Sequence, residues 1–272
     1  MNMYLINLDR SIDRLDFFTR QTDALGMKFE RISAVDGRRL SAEEMAAAIA
    51  PSFEFQPINS AEIGLFMSHK LAWQKLIASG EPHAAVFEDD VVLAASMRSV
   101  MDAIDREVRD FDVIKLETTL RQVVCLRKSA QLSTGNTLRQ LLTWHGGTAG
   151  YVISASCAQR LLGLKDKLAD PVDQVMFNPM SRVCAQLRIL QLNPAACIQK
   201  DILNEVDSVA FGTTIDRNAT VGRLFRHGPL IDLRRMLKKQ IERQRRRWLA
   251  IQKQNLQEVI PFESLEQVRR AA

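Results

Sequence analysis

Three consecutive acids, Glu88-Asp89-Asp90, interrupt an apolar run that begins Ala84-Ala85-Val86-Phe87 and resumes at Val91-Val92. An unpaired buried carboxylate strongly disfavours folding, so such a cluster belongs at an open strand end or beside a partner. In α/β proteins that place is the carboxyl edge of the sheet, where ligands bind. Side chains alternate along a strand, which predicts Glu88 and Asp90 on one face and Asp89 on the other. Two carboxylates on one face suit a hard divalent cation, Mn²⁺ or Mg²⁺. Such a cation would neutralise a diphosphate leaving group. Taken alone, the triad fits an acidic strand end facing water equally well.

The elements that must hold these acids alternate between strand and helix. Met3–Leu8 reads as a buried strand, and Ser11 can cap a helix that ends near Leu25, before Gly26. Lys28–Ser33 is a second strand, followed by a turn at Asp36-Gly37. Ser41 with Glu44 has the spacing of a capping box and opens a short helix that stops before Pro51. Ser60–Ser79 reads as a longer helix with Gly80 just past its end. Further strands are expected at Ala84–Phe87, Asp112–Glu117, Gln122–Leu126, Ala149–Ile153 and Gln186–Leu192. Helices are expected from Ser154 to about Leu162 and over Val172–Phe177. This alternation predicts a largely parallel sheet covered on both faces.

With 272 residues, 46% of them hydrophobic and 25% charged, the chain has the composition of a globular protein with a sizeable core. No apolar run is long enough to span a membrane. The first residues lack the basic start and apolar stretch of a secretory signal. Cys125, Cys157, Cys184 and Cys197 are widely spaced in apolar company, and read as reduced, buried thiols of a cytosolic protein. Charge is uneven. Residues 217–272 hold 14 Lys and Arg against 5 Asp and Glu, a net +9, so a chain of net +5 leaves 1–216 at −4. The expected division is an enzyme domain over 1–216 and a basic helical extension over 217–272. Within that extension Leu230, Leu233, Leu237, Ile241, Trp248 and Ile251 form one apolar stripe among eight basic residues. A basic amphipathic helix with a Trp suits an anionic membrane surface. A helix packed on the body fits the same pattern. A nucleic-acid surface is disfavoured, because the stripe lacks interleaved aromatics for base stacking.

Six segments in order resemble glycosyltransferase family 25, the lipooligosaccharide-type galactosyltransferases and their relatives in collagen glycosylation. They are Tyr4-Leu5-Ile6-Asn7-Leu8-Asp9-Arg10-Ser11 with Arg14; Ala34-Val35-Asp36-Gly37; Glu62-Ile63-Gly64 with Ser68-His69 and Trp73; Phe87-Glu88-Asp89-Asp90-Val91; Gly147-Thr148-Ala149-Gly150-Tyr151; and Pro171-Val172-Asp173. The resemblance spans roughly residues 3–200. It implies an α/β GT-A fold, Rossmann-like and nucleotide-sugar-binding, followed here by the amphipathic helical tail. It also implies a UDP-sugar donor, a divalent metal at Glu88 and Asp90, and inversion at the anomeric carbon. The donor-binding positions it suggests are Asn7, Leu8, Arg10, Arg14, Ala34, Asp36, Gly64, Ser68, His69, Asp89 and Lys115.

Several of these positions carry a physical reading of their own. Arg10 and Arg14 lie four apart on one helix face, and could meet a diphosphate or bond nearby acids such as Asp13. Asp36 before a turn glycine could accept from a uracil or ribose, or simply make the turn. Gly64 inside a helix costs about 1 kcal/mol relative to Ala, which a close ligand or tight packing would explain. Trp73 is expected in the core. Inverting transfer needs a general base. Asp173, near the start of its helix, is the first candidate and Glu117, at a strand end, the second. Gln199, Asp201 and His227 are open candidates for a remaining metal ligand.

The leading expectation is transfer of a hexose, with galactose from UDP-galactose expected, onto a saccharide of a bacterial glycolipid such as a lipopolysaccharide core. Expected partners are the donor, a glycolipid or oligosaccharide acceptor, and the inner face of the cytoplasmic membrane through 230–251, with self-association open. The alternative is a non-catalytic nucleotide-sugar-binding or scaffold protein on the same fold.

Overall fold

A computed structural model describes residues 1–50, 58–164, 170–207 and 229–263, with the side chains of 204–207 and 229–235 outside the description. The first elements are β1 (Asn2–Asn7), α1 (Ile12–Ala24), β2 (Glu30–Ser33), α2 (Ala42–Ala48) and α3 (Ser60–Ser79). Next come β3 (His83–Glu88), β4 (Val91–Leu93), α4 (Met97–Glu107), β5 (Val113–Lys115), β6 (Glu117–Thr118), β7 (Gln122–Gln131) and β8 (Thr137–Leu141). The last are β9 (Gly150–Ser154), α5 (Ala155–Leu162), α6 (Val172–Phe177), β10 (Ile189–Asn193), β11 (Cys197–Gln199), α7 (Lys200–Asp207), α8 (Pro229–Ile251) and β12 (Asn255–Val259).

Among the described residues, nine strands form one sheet in the order β12-β7-β8-β10-β5-β9-β3-β1-β2, and β4-β11-β6 form a small second sheet. Alternation along β1 divides the core. Tyr4 and Ile6 pack with Ile63, Phe66 and Trp73 of α3, while Met3 and Leu5 pack with Phe18 of α1 and Met97 and Val100 of α4. Helices therefore cover both faces, as the sequence predicts. The sheet is not largely parallel, however. Among the described residues of the nine-stranded sheet, parallel pairing is confined to β1 with β2, β1 with β3 and β5 with β10. The apolar run Gly150–Ser154 enters as β9 between β3 and β5, antiparallel to both. Buried strands look alike in either direction, so hydrophobic pattern cannot set their sense.

Local signals set the helix ends. Asn59 and Glu62 make a reciprocal capping box at the start of α3, and Gly80 closes it at φ +72°. Ser41 and Glu44 cap α2 in the same way. Ser11 precedes α1 but makes no side-chain cap bond. The expected strand Asp112–Glu117 is split at Leu116, because β6 leaves the main sheet to pair with β11.

The expected division falls at residue 216. That boundary and His227 lie outside the described residues. Beyond them, β12 pairs antiparallel with β7 at the sheet edge, and Ile260 and Phe262 are fully buried in the core. On α8, Leu249 is buried, Arg245 donates to the Leu142 carbonyl at 3.0 Å, and Arg246 donates to the Gln122 carbonyl. Met236, Leu237, Ile241, Trp248 and Ile251 are exposed. The part of 217–272 that is described is thus built into the body, with Leu237, Ile241, Trp248 and Ile251 of its apolar stripe outward.

Candidate active site

The site gathers where β1, β2, β3 and β5 end. Strand register sets Ile6 beside Glu88 and Asn7 beside Ser33. The first strand therefore delivers Asn7 to the acids of the third. Asn7 Nδ2 donates to Asp89 Oδ2 at 2.7 Å and to the Ser11 carbonyl, while its Oδ1 accepts from Arg31 Nε at 2.8 Å. With each amide group engaged, Asn7 joins strand ends. Leu8 is half-buried beside it.

Beyond Glu88 the chain turns, so strand alternation stops there. Arg14 Nη1 approaches both Asp89 Oδ1, at 3.1 Å, and Asp90 Oδ2, at 3.5 Å. Asp89 thus does not point away from Asp90 as alternation predicts. Glu88 Oε1 accepts from Thr148 Oγ1 at 2.6 Å and lies 3.5 Å from His69 Nε2. Burial pushes the Asp90 carboxyl up to about 7, the Glu88 charge adds to this, and Arg14 offsets only part of it. Burial also acts on Glu88, but the nearby His69 ring and the hydrogen bond from Thr148 outweigh it and hold the carboxyl below its usual range. Asp90 Oδ1 is buried without a hydrogen-bond partner. Two neighbouring carboxylates with an orphaned oxygen are a donor set that a hard divalent cation fits. Among the described residues, no group of three or more His, Cys, Asp or Glu side chains gathers as a metal site. Of the open candidates, Asp201 adds its charge to the field at Asp90, and the Lys200 amide donates to the Asp90 carbonyl at 2.8 Å.

The flank formed by β2 and α3 is closely packed. Arg10 pairs with Asp36 rather than Asp13, and Asp36 also caps the 3₁₀ turn Gly37–Arg39 by accepting from the Arg38 amide. Ser68 Oγ donates to the Gly64 carbonyl and accepts from the Val35 amide at 2.9 Å. A Cβ at Gly64 would stand 2.5 Å from the Val35 carbonyl oxygen and 2.7 Å from the Gly37 nitrogen. Backbone packing, not an open ligand cleft, takes the space beside Gly64. Ala34, half-buried, is tied through its amide to the Asn7 carbonyl.

Across the site lies a sealed ion pair. Lys115 and Glu117 are both fully buried, Nζ to Oε1 at 2.6 Å. Lys115 Nζ also donates to the Gly147 carbonyl at 2.6 Å and lies 4.1 Å from the Phe177 ring centroid. Glu117 Oε1 accepts from the Ala149 amide, and Oε2 has no hydrogen-bond partner. Burial pushes the Glu117 carboxyl up to about 7 despite Lys115. The pair clamps the 146–149 loop, whose Gly147 has φ +86° and faces the Glu117 carboxylate. Asp173 meets the same loop. It accepts from the Gly147 and Gln174 amides, and burial raises its carboxyl above the usual range. Unlike Glu117 it keeps some exposure.

Sequence spacing missed the partners of His69. The ring is fully buried, with Nδ1 2.8 Å from Tyr151 Oη, and Trp73 Nε1 donates to that same Oη at 2.9 Å. His69 therefore reaches the acids by way of Glu88. Residues 69, 73 and 151 do lie in the matched motifs, but no spacing reveals a bond across 82 positions.

The family model described as glycosyltransferase family 25 (LPS biosynthesis protein) matches residues 1–176. The chain belongs to that family. It is 30% identical over 239 residues to the lacto-N-neotetraose biosynthesis glycosyltransferase LgtB of Neisseria meningitidis, covering 84% of this chain and 81% of that one. It is 28% identical to LgtE of Neisseria gonorrhoeae, covering 90% and 94%. It is 33% identical to the lipooligosaccharide biosynthesis protein lex-1 of Haemophilus influenzae, covering 57% and 55%. This family 25 glycosyltransferase carries its acids at the carboxyl end of a parallel β2-β1-β3 unit, within a mixed α/β fold.

Proposed function

We propose that the chain is an inverting, metal-dependent hexosyltransferase, taking galactose from UDP-galactose and placing it on a saccharide of a lipopolysaccharide or lipooligosaccharide core. The observation that carries this reading is the buried, unpartnered Asp90 Oδ1 in the field of the Glu88 charge at the end of β3. Names of similar proteins, for lacto-N-neotetraose and lipooligosaccharide synthesis, support an oligosaccharide acceptor. Glu88 and Asp90 would hold Mn²⁺ or Mg²⁺, which when bound offsets the charge of the leaving diphosphate. Arg10, exposed on the same rim, offers a charge-assisted donor to that diphosphate. Asp173 takes the proton of the acceptor hydroxyl as its oxygen bonds to the anomeric carbon. The bond from that carbon to the diphosphate oxygen breaks on the opposite side, and the electron pair leaves on UDP. Asp173 suits this role better than Glu117, whose carboxylate is sealed against Lys115. A screen of UDP-sugars for metal-dependent binding, then for transfer to core oligosaccharides, tests the reading. Failure of every UDP-sugar to bind with Mn²⁺ present would defeat it.

For the acceptor side, α8 offers a lipid-facing surface at the inner leaflet. Leu237, Ile241, Trp248 and Ile251 are exposed amid basic residues, and no described helix is long and apolar enough to cross a membrane. An apolar stripe can enter the headgroup boundary while arginines meet anionic lipid. The double variant Ile241→Ser, Trp248→Ser should keep the fold and pellet less with anionic liposomes. Wild-type pelleting should fall with added salt. Equal pelleting of both proteins would reject the surface.

A further inference from the structure

Trp73, Tyr151 and His69 form a buried chain of polar atoms that ends at Glu88. Its proton positions follow from donor and acceptor chemistry. An indole N–H only donates, so Tyr151 Oη accepts from Trp73 at 2.9 Å. The tyrosine ring is fully buried, and among the described residues its hydroxyl proton has one other hydrogen-bond neighbour, His69 Nδ1 at 2.8 Å. Were Nδ1 protonated, the hydroxyl proton would be left without an acceptor in the core, which costs about 1–3 kcal/mol. Nδ1 is therefore the acceptor, and the ring proton stands on Nε2. That nitrogen is buried with no closed hydrogen bond, and faces Glu88 Oε1 at 3.5 Å. Thr148 addresses the same oxygen from the other side at 2.6 Å. Among the described residues no hydrogen bond is made to Glu88 Oε2. The rings hold one another in place, with centroids of His69 and Tyr151 5.6 Å apart and those of Tyr151 and Phe177 6.4 Å apart.

We propose that Trp73 and Tyr151 lock His69 as its Nε2–H tautomer, and that His69 is a positioning residue which, with Thr148, holds Glu88 by Oε1 and leaves Oε2 to the divalent cation. This inference rests on the cation reading given above. Outer-shell partners of this kind typically change metal affinity about 10- to 100-fold when removed.

Two measurements test it. Nitrogen-15 NMR of histidine-labelled protein reads the tautomer without any metal. The chain has four histidines, and the His69→Gln spectrum assigns the resonance. The expected result is a bare Nδ1 and a protonated Nε2, lost to a mixture in Tyr151→Phe. Mn²⁺ affinity is then measured by electron paramagnetic resonance in the presence of UDP, on variants whose folding is checked by circular dichroism. Tyr151→Phe and His69→Leu should weaken it about 10- to 100-fold. His69→Gln, whose amide N–H can stand where Nε2–H stood, should recover most of the loss. A wild-type ring protonated on Nδ1 would overturn the proposal. So would wild-type affinity in Tyr151→Phe and His69→Leu where Glu88→Gln has lost it. If Glu88→Gln itself binds Mn²⁺ as well as wild type, the cation reading fails, and the relay loses its assigned purpose whatever the tautomer.

Discussion

Acids stand at the ends of two neighbouring structures, and the two have opposite characters. At β5 and β6, Glu117 has a lysine 2.6 Å away, a backbone donor, and no exposure. At the end of β3, Asp89 and Asp90 share one arginine, Glu88 stands beside them with no lysine or arginine bound to it among the described residues, and Asp90, like Glu117, keeps one oxygen without a partner. Paired charge shapes backbone, as Lys115 and Glu117 do for the 146–149 loop. Under-compensated charge marks a candidate binding site, because burying such a cluster costs free energy that a ligand of opposite charge would offset.

The sharpest test of that contrast is at Asp173, which shares the clamped loop but stays accessible. Asp173→Asn should lower turnover about 10²- to 10⁴-fold, the usual span for a general base, with UDP-sugar affinity nearly unchanged. A base works unprotonated. Since burial raises the Asp173 carboxyl, wild-type activity should fall with decreasing pH before the ordinary Asp range is reached. That acid limb should vanish from the residual activity of Asp173→Asn. If donor affinity falls instead of turnover, Asp173 is a binding residue.

Lys115→Met probes the paired side. It strands a buried carboxylate, so thermal or urea unfolding should show a loss of about 3–5 kcal/mol. The double change Lys115→Met, Glu117→Leu should recover a large part of it. A single variant as stable as wild type would mean that the pair does not organise the loop.

On the under-compensated side, Asp90→Asn should leave the melting temperature close to wild type. Mn²⁺-dependent UDP binding should weaken by more than about 100-fold, the upper end for outer-shell changes. Retained binding would show that the acids are balanced by Arg14 alone. The smallest effect is expected for Gly147→Ala. It adds a Cβ at φ +86° and 2.8 Å from Glu117 Oε2, a strain of about 1–3 kcal/mol.

Much of this was legible in the chain. The ends of α3 follow from its cap and its glycine, and those of α6 match the expected Val172–Phe177. The acids sit at the strand end where their cost demands. Other features were not legible, for physical reasons. Alternation places side chains only while a strand continues, and it stops at Glu88. Periodicity carries no direction, so β9 passed for a parallel strand. Charge counting separated 217–272 from the body, whereas β12 and Phe262 belong to the core. The clamp on the 146–149 loop and the relay through Tyr151 are contacts between distant segments. Spacing along a chain is silent about those.

The position of β12 has a consequence for synthesis. Its partner β7 leaves the ribosome more than a hundred residues earlier, so the edge from Gln122 to Gln131 waits unpaired while α5, α6 and α8 are still being made. An exposed edge is a template for wrong pairing with other chains. At about 5–20 residues per second this interval lasts many seconds. Nascent chains halted before Asn255 should therefore engage chaperones or aggregate, while those released past Phe262 fold.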